Sequence, residues 1–580
     1  GYLRKLFPIG QQVIISGKVN YFSNKYQMTN PDYVTTLEKE DYVKKVIPKY
    51  SLTKGINEKK YRLISDQIIN NLPNIKEWHN EDFLRKNNFV NWKESIIALH
   101  RTKDGQNKTS KTYKRLAFDE ICANFLTLSE NRKKIKKKKE IKSFNQTLSN
   151  EVLKELPFRL TSSQNKVLNE INSDLKSNIR MFRIVQGDVG SGKTIVSLLS
   201  ICNVIESKRQ CALMAPTEIL AKQHFALAQK LFKDKFKVSF LTGKTELKQK
   251  KLIIENLRKG IVDLIIGTHS LFQKKIDFKN LGFVVIHEQH KSGAKQRSDI
   301  AKKGGDHCDV LLMSATPIPR TMMMSLYGDM DISKITEKPS NRKKIITLSK
   351  PESKINELWP FIKKQIISDN QVFWVCPLIK ESAFLDYSSA KEKFDIINKK
   401  YPNKVGLIHG ALNKIEKDLI LKKFLEKKIS ILVSTTVIEV GIDFPNANLI
   451  VIENANKFGL AQLHQLRGRV GRGKKQGLCI LLFKESLSKN AIKRIKILKN
   501  SDDGFYIADE DMKLRGFGDL IGYQQSGEKN FKFADPVIHE DLFILAENYI
   551  KNLDVNVNES KFTFLLKLFD RAEIINQKID

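Results

Sequence analysis

From residue 180 onward the chain alternates short apolar runs with polar stretches of helix length. RMFRIV, CALMAP, VDLIIGT, FVVIHE and DVLLMSAT make a first set. Continuous apolar runs of this length, spaced by amphipathic segments, predict parallel strands buried on both faces and joined by helices. The charged stretch EKPSNRKK at 337–344 interrupts that rhythm, and QVFWVCPL, KVGLIHG, ISILVST, NLIVIENA and LCILLF then restart it. Two α/β lobes in tandem are the simplest reading. Ahead of them, residues 11 to about 45 alternate apolar and polar positions between Gly, Asn and Pro, as short strands of a small barrel do. Between about 55 and 145 the period turns helical, with Trp78, Trp92, Leu99 and Phe118 as packing anchors. After 485 the strands stop and a helical, Gly-punctuated tail begins.

Composition narrows the function classes. No apolar run approaches the roughly 18 residues that a membrane helix needs, so no membrane-spanning role is expected. Six scattered cysteines without a CxxC pair fit a reducing, cytoplasmic setting. The chain starts without Met and without a secretory pattern, and its first residues run straight into a strand, which reads as a start inside a domain. The net charge of +37 makes a polyanion, nucleic acid first, the partner to expect. About four in five of the basic residues are lysine, which AT-rich codon usage alone can produce, so the charge carries modest weight. The lysine run from Lys133 to Lys139 reads as a solvated helix face or linker rather than a dedicated nucleic-acid contact.

The sharpest signal is Gly187-Asp188-Val189-Gly190-Ser191-Gly192-Lys193-Thr194, placed directly after one predicted strand and before a predicted helix. Its glycines let backbone N–H groups turn inward around phosphates, and the helix N-terminus adds its dipole. Lys193 neutralises the β/γ oxygens, and the Thr194 hydroxyl can ligate Mg²⁺. Nucleoside triphosphate binding follows from this segment alone. A second strand ends in His287-Glu288-Gln289-His290, where Glu288 can polarise an attacking water. In the second lobe, Gln465-Leu466-Arg467-Gly468-Arg469-Val470-Gly471-Arg472 carries guanidinium groups that lobe closure can bring onto a phosphate.

The ordered set TSSQ, GDVGSGKT, APTEILAKQH, GTHSL, HEQH, SATPIPRT, STTVIEVGIDFPNA and QLRGRVGRG resembles superfamily-two helicases and translocases. HEQHKSGAKQR, FWVCPLI and GFYIADEDMKLRGFGDLIGYQQSG resemble, more narrowly, the bacterial branch-migration helicases of the RecG family. The resemblance implies an α/β fold of two RecA-like parallel-sheet lobes. It divides the chain into a partial OB-like wedge at 1–55, a helical connector at 56–150, an ATP-binding lobe at 151–338, a second lobe at 339–487, and a helical-hairpin coupling tail at 488–580. It also implies ATP and Mg²⁺ as cofactors, an ATPase-driven helicase activity, and branched double-stranded DNA such as forks and Holliday junctions as the partner. A monomer is expected, and a single-strand DNA-binding protein is a candidate partner that the residues leave open.

By the same resemblance, Phe158 and Gln164 read adenine; Gly187, Gly190, Ser191, Gly192, Lys193 and Thr194 hold the phosphates, and Thr194 with Glu288 serves the metal. Glu288 is the catalytic base, assisted by Gln465, Arg469 and Arg472. Thr217, Thr268, His269 and Thr435 grip the DNA backbone, and Glu439, Gly441 and Asp443 couple that grip to nucleotide. Arg515, Gln524 and Gln525 link nucleotide state to duplex movement. Phe22 and Tyr26 match wedge aromatics that stack on parted bases, although spacing alone equally allows core or rim packing in the small barrel.

Three positions depart from the family. His287 stands where the family has Asp, and a neutral imidazole replaces a carboxylate in the metal's surroundings. Ser292 and Phe517 replace an aromatic and a proline. Two rivals stay open on these residues: an Mfd-like translocase acting on stalled RNA polymerase, and a junction-binding protein whose hydrolysis is impaired by His287. An RNA helicase is formally a third.

Overall fold

The computed structural model describes the chain outside residues 1–6, 23–24, 30, 45, 47, 49, 102–106, 234, 274, 288–304, 315–316, 340–341, 378–382, 436–443, 474, 516–530, 554–559 and 572–580. Its described residues fall into two compact units, one within Gly1–Asn124 and Phe531–Ala572, the other within Phe125–Asn530.

In the first unit, β1 (Val13–Ser16) pairs antiparallel with β4 (Tyr33–Thr36), and β2 (Asn20–Phe22) with β3 (Lys25–Gln27). The β2·β3 ribbon places Tyr21 opposite Tyr26 and leaves Tyr21, Phe22 and Tyr26 exposed by 63%, 68% and 80%. Core packing is thereby excluded for Phe22 and Tyr26. Helices follow at Glu58–Asn70, Glu81–Lys86 and Trp92–His100, the last two capped by the side chains of Asn80 and Asn91. Trp78, Trp92 and Phe118 are buried as the pattern requires, whereas Leu99 is only half-buried.

A polar network runs through this core. Asp119 accepts from Trp78 Nε1 at 3.0 Å, contacts His79 Nε2 at 2.8 Å and pairs with Arg115 at 3.0 Å. His79 Nδ1 lies 3.1 Å from the Tyr549 hydroxyl, on the tail helix Glu540–Asn552. Glu120 accepts the backbone N–H groups of Lys532, Phe533 and Ala534 at 2.6, 2.8 and 2.9 Å. Every buried charge here has a partner, as the cost of an unpaired one demands. The tail is thus pinned back onto the connector helices.

In the second unit the two predicted sets of strands form two parallel sheets. The first holds β5 (Phe182–Gly187), β6 (Gln210–Met214), β7 (Val238–Leu241), β8 (Leu264–Gly267), β9 (Leu281–His287), β10 (Asp309–Ser314) and β11 (Asp331–Ile335), in the order β11-β5-β10-β9-β6-β8-β7. The second holds β12 (Ile346–Pro351), β13 (Gln371–Val375), β14 (Val405–Ile408), β15 (Ile431–Ser434), β16 (Ala447–Ile452) and β17 (Leu478–Phe483), in the order β12-β17-β16-β13-β15-β14. All pairings in both sheets are parallel. β6, β9, β10, β13 and β16 are buried at every position, which is why their sequences read as unbroken apolar runs rather than alternating ones. These are two RecA-like lobes. The first sheet sets β5, β10 and β9 side by side and parallel, so their carboxyl ends lie together at the edge where open α/β sheets bind ligands.

Lys133, Lys134, Lys137 and Lys138 of the lysine run are exposed as expected, Lys136 is half-buried, and Lys139 at its end is buried. Lys139 and Lys142 both reach Asp309 Oδ2 at 2.7 Å, with none of the three side chains more than 4% exposed. Lys139 also donates to the carbonyls of Asp174 and Leu175, at 2.9 and 3.2 Å. Lys136 pairs with Asp331 at 2.9 Å. The partner carboxylates lie far away in sequence, so local charge density could not announce them. Burial nevertheless pulls the Lys139 ammonium below its usual range, against the raising effect of Asp309.

Candidate functional site

β5 ends at Gly187, and the chain then turns tightly into the helix Lys193–Glu206. Gly190 (φ +79°) and Gly192 (φ +87°) adopt the left-handed conformation that side chains resist. Space enforces the same choice. A Cβ on Gly190 would sit 1.4 Å from Arg342 Nη1, and one on Gly192 2.2 Å from Gln164 Nε2. Ser191 is buried and Thr194 half-buried at the helix start. Lys193 is itself buried, and its ammonium donates to the carbonyls of Gly187 and Asp188 at 2.6 and 2.8 Å. It is therefore held within the loop whose phosphates it is expected to neutralise.

TSSQ begins the helix Ser162–Lys176 as a capping box: Gln164 N–H donates to Thr161 Oγ1 at 3.2 Å, and Thr161 N–H donates to Gln164 Oε1 at 2.9 Å. Gln164 Nε2 then donates to the Ser191 carbonyl at 2.7 Å. The glutamine expected to read adenine is tied to the phosphate loop, and Phe158 lies half-buried just upstream.

His287 closes β9 beside Met313 of β10 and is buried. Its Nδ1 lies 3.4 Å from Nε2 of His224, the two rings edge to face. Burial pushes the His287 imidazole well below its ordinary value, and His224, Lys193 and Arg469 push it further. Burial alone holds His224 at about 4. Both rings are neutral at neutral pH. Arg342 donates to the Val189 carbonyl of the phosphate loop at 2.6 Å and to the Gly468 carbonyl of the second lobe at 3.4 Å, so the two segments face each other.

Mg²⁺ is a hard ion that takes oxygen ligands. Among the described residues the Thr194 hydroxyl offers it an oxygen, whereas the neutral His287 imidazole is a nitrogen already facing His224. Glu288 lies outside the described residues, as do Gln524, Gln525, Glu439, Gly441, Asp443, Ser292 and Phe517.

In the second lobe, the helix Leu460–Arg467 carries half-buried Gln465, followed by buried Arg469 and half-buried Arg472, whose Nε donates to the Gly468 carbonyl at 3.1 Å. Asp511 Oδ1 accepts the N–H of Leu460 at 2.9 Å and pairs with Arg515 at 3.1 Å. The guanidinium of Arg515 covers Gly459 so closely that a Cβ there would fall 1.0 Å from Nη2. Arg515, at the end of the helix Gly504–Arg515, is thus clamped to the start of the helix that leads to Arg469.

The residues expected to grip DNA sit at carboxyl ends of strands. Thr217 follows β6 and caps its helix by accepting from Leu220 N–H at 3.3 Å. Thr268 follows β8, with Oγ1 3.3 Å from Ser270 Oγ, and His269 beside it is exposed. Thr435 follows β15 and is buried, its hydroxyl without a partner among the described residues.

His464, Lys338, Arg342 and His224 at the site carried no sequence signal. Asp188 Oδ1 lies 2.6 Å from His464 Nε2, and Asp188 Oδ2 lies 2.7 Å from Lys338 Nζ. Arg342 Nη1 donates to the Val189 carbonyl at 2.6 Å. His224 faces His287 from the helix Glu218–Phe232. Each lies in or beside a recognisable segment, but only the folded chain supplies its partner.

Residues 161–324 match the DEAD/DEAH box helicase family, and residues 353–474 match the helicase conserved C-terminal domain. The chain is 40% identical over 563 residues to the ATP-dependent DNA helicase RecG of Thermotoga maritima, covering 96% of this chain and 71% of that protein. It is 37% identical over 550 residues to RecG of Escherichia coli K12, covering 92% and 79%. A solved structure of RecG bound to a three-way DNA junction superposes with a TM-score of 0.70 at 38% identity, over 94% of this chain and 72% of that one. With two parallel-sheet lobes meeting at a phosphate loop and relatives this similar along most of their length, the chain belongs to the RecG family of ATP-dependent DNA helicases.

Proposed function

We propose that the chain is an ATP-driven double-stranded DNA translocase that remodels stalled forks and branch-migrates Holliday junctions by drawing duplex against a wedge. The observation that carries this reading is the continuity from nucleotide to DNA side. Arg342 bridges the phosphate loop at Val189 and the second-lobe arginine segment at Gly468, and Arg515 is fastened to the helix preceding Arg469.

In the hydrolytic step, water attacks the γ-phosphorus as its bond to the β–γ bridging oxygen breaks, leaving ADP and phosphate. Lys193 and the loop N–H groups hold the β/γ oxygens, and Glu288 is positioned in sequence to accept the water's proton. Arg469 and Arg472 spread the developing charge, a contribution of about 10³- to 10⁵-fold when an arginine arrives from a second lobe. Rate then depends on lobe closure. Thr217, Thr268, His269 and Thr435 would hold the sugar-phosphate backbone, contacts that position without reading sequence. Exposed Phe22 and Tyr26 would stack on bases where strands part, with no sequence preference.

A second reading rests on His287: a buried neutral ring beside the phosphate loop favours a junction binder with weak turnover. One assay separates them. ATP hydrolysis and strand conversion are measured on a synthetic fork and on linear duplex of the same length. The translocase reading requires that the fork stimulate turnover and be converted. Tight fork binding without stimulated phosphate release leaves the second reading, and equal stimulation by linear duplex without conversion ends the first.

A further inference from the structure

Asp188, inside the phosphate loop, is held by residues from two other parts of the same unit. His464 belongs to the second lobe and Lys338 to the segment joining the lobes, and both contacts are shorter than 2.8 Å. The Asp188 side chain is only 10% exposed. Burial opposes its charge, yet His464 and Lys338 hold the carboxyl well below the usual range.

The proton on His464 is fixed by its other neighbour. Arg467 Nη2 lies 2.8 Å from His464 Nδ1, and a guanidinium can only donate, so Nδ1 accepts and Nε2 carries the hydrogen toward Asp188. Arg467 is anchored in turn on the carbonyls of Leu498 and Ser501, at 2.7 and 2.8 Å, and on Asp502 at 3.1 Å. Lys338 closes the circuit by donating to the Asp502 carbonyl at 3.0 Å. Gly504, the first residue of the helix ending in Arg515, lies over the pair; a Cβ there would meet His464 Nε2 at 2.9 Å and Asp188 Cγ at 3.1 Å.

We propose that His464 is a positioning residue for ATP hydrolysis: by donating to Asp188 it sets the second-lobe helix against the phosphate loop and so seats Arg469 and Arg472. The inference rests on the ATPase reading above. Phosphates bind the loop N–H groups and Lys193, which His464 does not touch, so its loss acts on turnover and spares nucleotide affinity. A side-chain amide can replace its donor and acceptor together.

The test uses the full chain with His464→Ala, His464→Gln, Asp188→Asn and the Asp188→Asn/His464→Ala double variant. Steady-state kinetics on forked DNA should show kcat down about 10- to 100-fold in His464→Ala, with KM for ATP within about threefold. His464→Gln should recover most of the rate, and the double variant should be no slower than the slower single one. Additive losses, an effect confined to KM, or no rescue by Gln would overturn the proposal. Amide hydrogen exchange across 460–472, without nucleotide, gives a reading independent of turnover. Exchange should quicken in His464→Ala and Asp188→Asn but not in His464→Gln; unchanged exchange also overturns it. A parent chain that hydrolyses no ATP refutes the proposed function, while the exchange data still decide the contact.

Discussion

Asp309→Asn tests the buried cation pair at the amino end of the first lobe's sheet. One carboxylate oxygen serves two ammonium groups at 2.7 Å, and the other accepts the Met181 N–H at 2.6 Å. An asparagine that keeps the Met181 contact turns its amide N–H₂ toward Lys139 and Lys142, leaving two buried cations without a counter-charge. Removing one member of a buried pair costs about 3–5 kcal/mol. The remaining acceptors, the carbonyls of Asp174 and Leu175 for Lys139 and of His307 for Lys142, keep the loss from rising further. For a lobe-sized cooperative unit this lowers Tm by roughly 6–20 °C. Differential scanning calorimetry of parent and variant reads it directly. The carboxylate sits at the opposite end of β10 from the phosphate loop, so KM for ATP at permissive temperature should not move. A Tm loss under about 2 °C would mean that these lysines are in effect hydrated, and the burial argument would fail.

Three further outcomes follow from the site. Phe22→Ala should weaken fork conversion by about 5- to 150-fold, the equivalent of one lost stacking contact of about 1–3 kcal/mol, Tyr26→Ala likewise, and both should leave hydrolysis on linear duplex intact; both side chains are exposed, so circular dichroism should not change. Arg515→Ala should separate fuel use from work, with fork conversion down about tenfold or more while DNA-stimulated hydrolysis stays within about threefold; parallel loss of both would place Arg515 in chemistry instead. His287→Asp restores an oxygen donor beside the triphosphate, and the Mg²⁺ concentration for half-maximal hydrolysis should fall. An unchanged Mg²⁺ midpoint would show that the imidazole is not limiting.

Much of this architecture was legible because parallel strands buried on both faces must be continuously apolar, and FVVIH or QVFWV admits little else. The phosphate loop was legible for a different reason: its glycines answer to backbone geometry and its lysine to phosphate charge, both local demands. What escaped was set by distance. Lys139 reads as solvent-facing until Asp309, on a distant strand, is folded against it. His464 looks like a neighbour of Gln465 until the second lobe brings it to Asp188. Phe22 and Tyr26 could have been core or rim, and only the β2·β3 pairing exposes their rings. The substitution at His287 was visible from the resemblance, but its companion His224 was not.

The capping box at Thr161 and Gln164 bears on the adenine reading that the family resemblance implies for Gln164. With Thr161 N–H on the oxygen and the Ser191 carbonyl on the nitrogen, the carboxamide cannot flip without losing both partners. It keeps one unspent hydrogen and one unspent lone pair, a mixed couple that matches the N6 donor and N7 acceptor of adenine. Guanine would offer that couple two acceptors. A helix terminus thus fixes which end of one amide is which, ahead of any base it is expected to read.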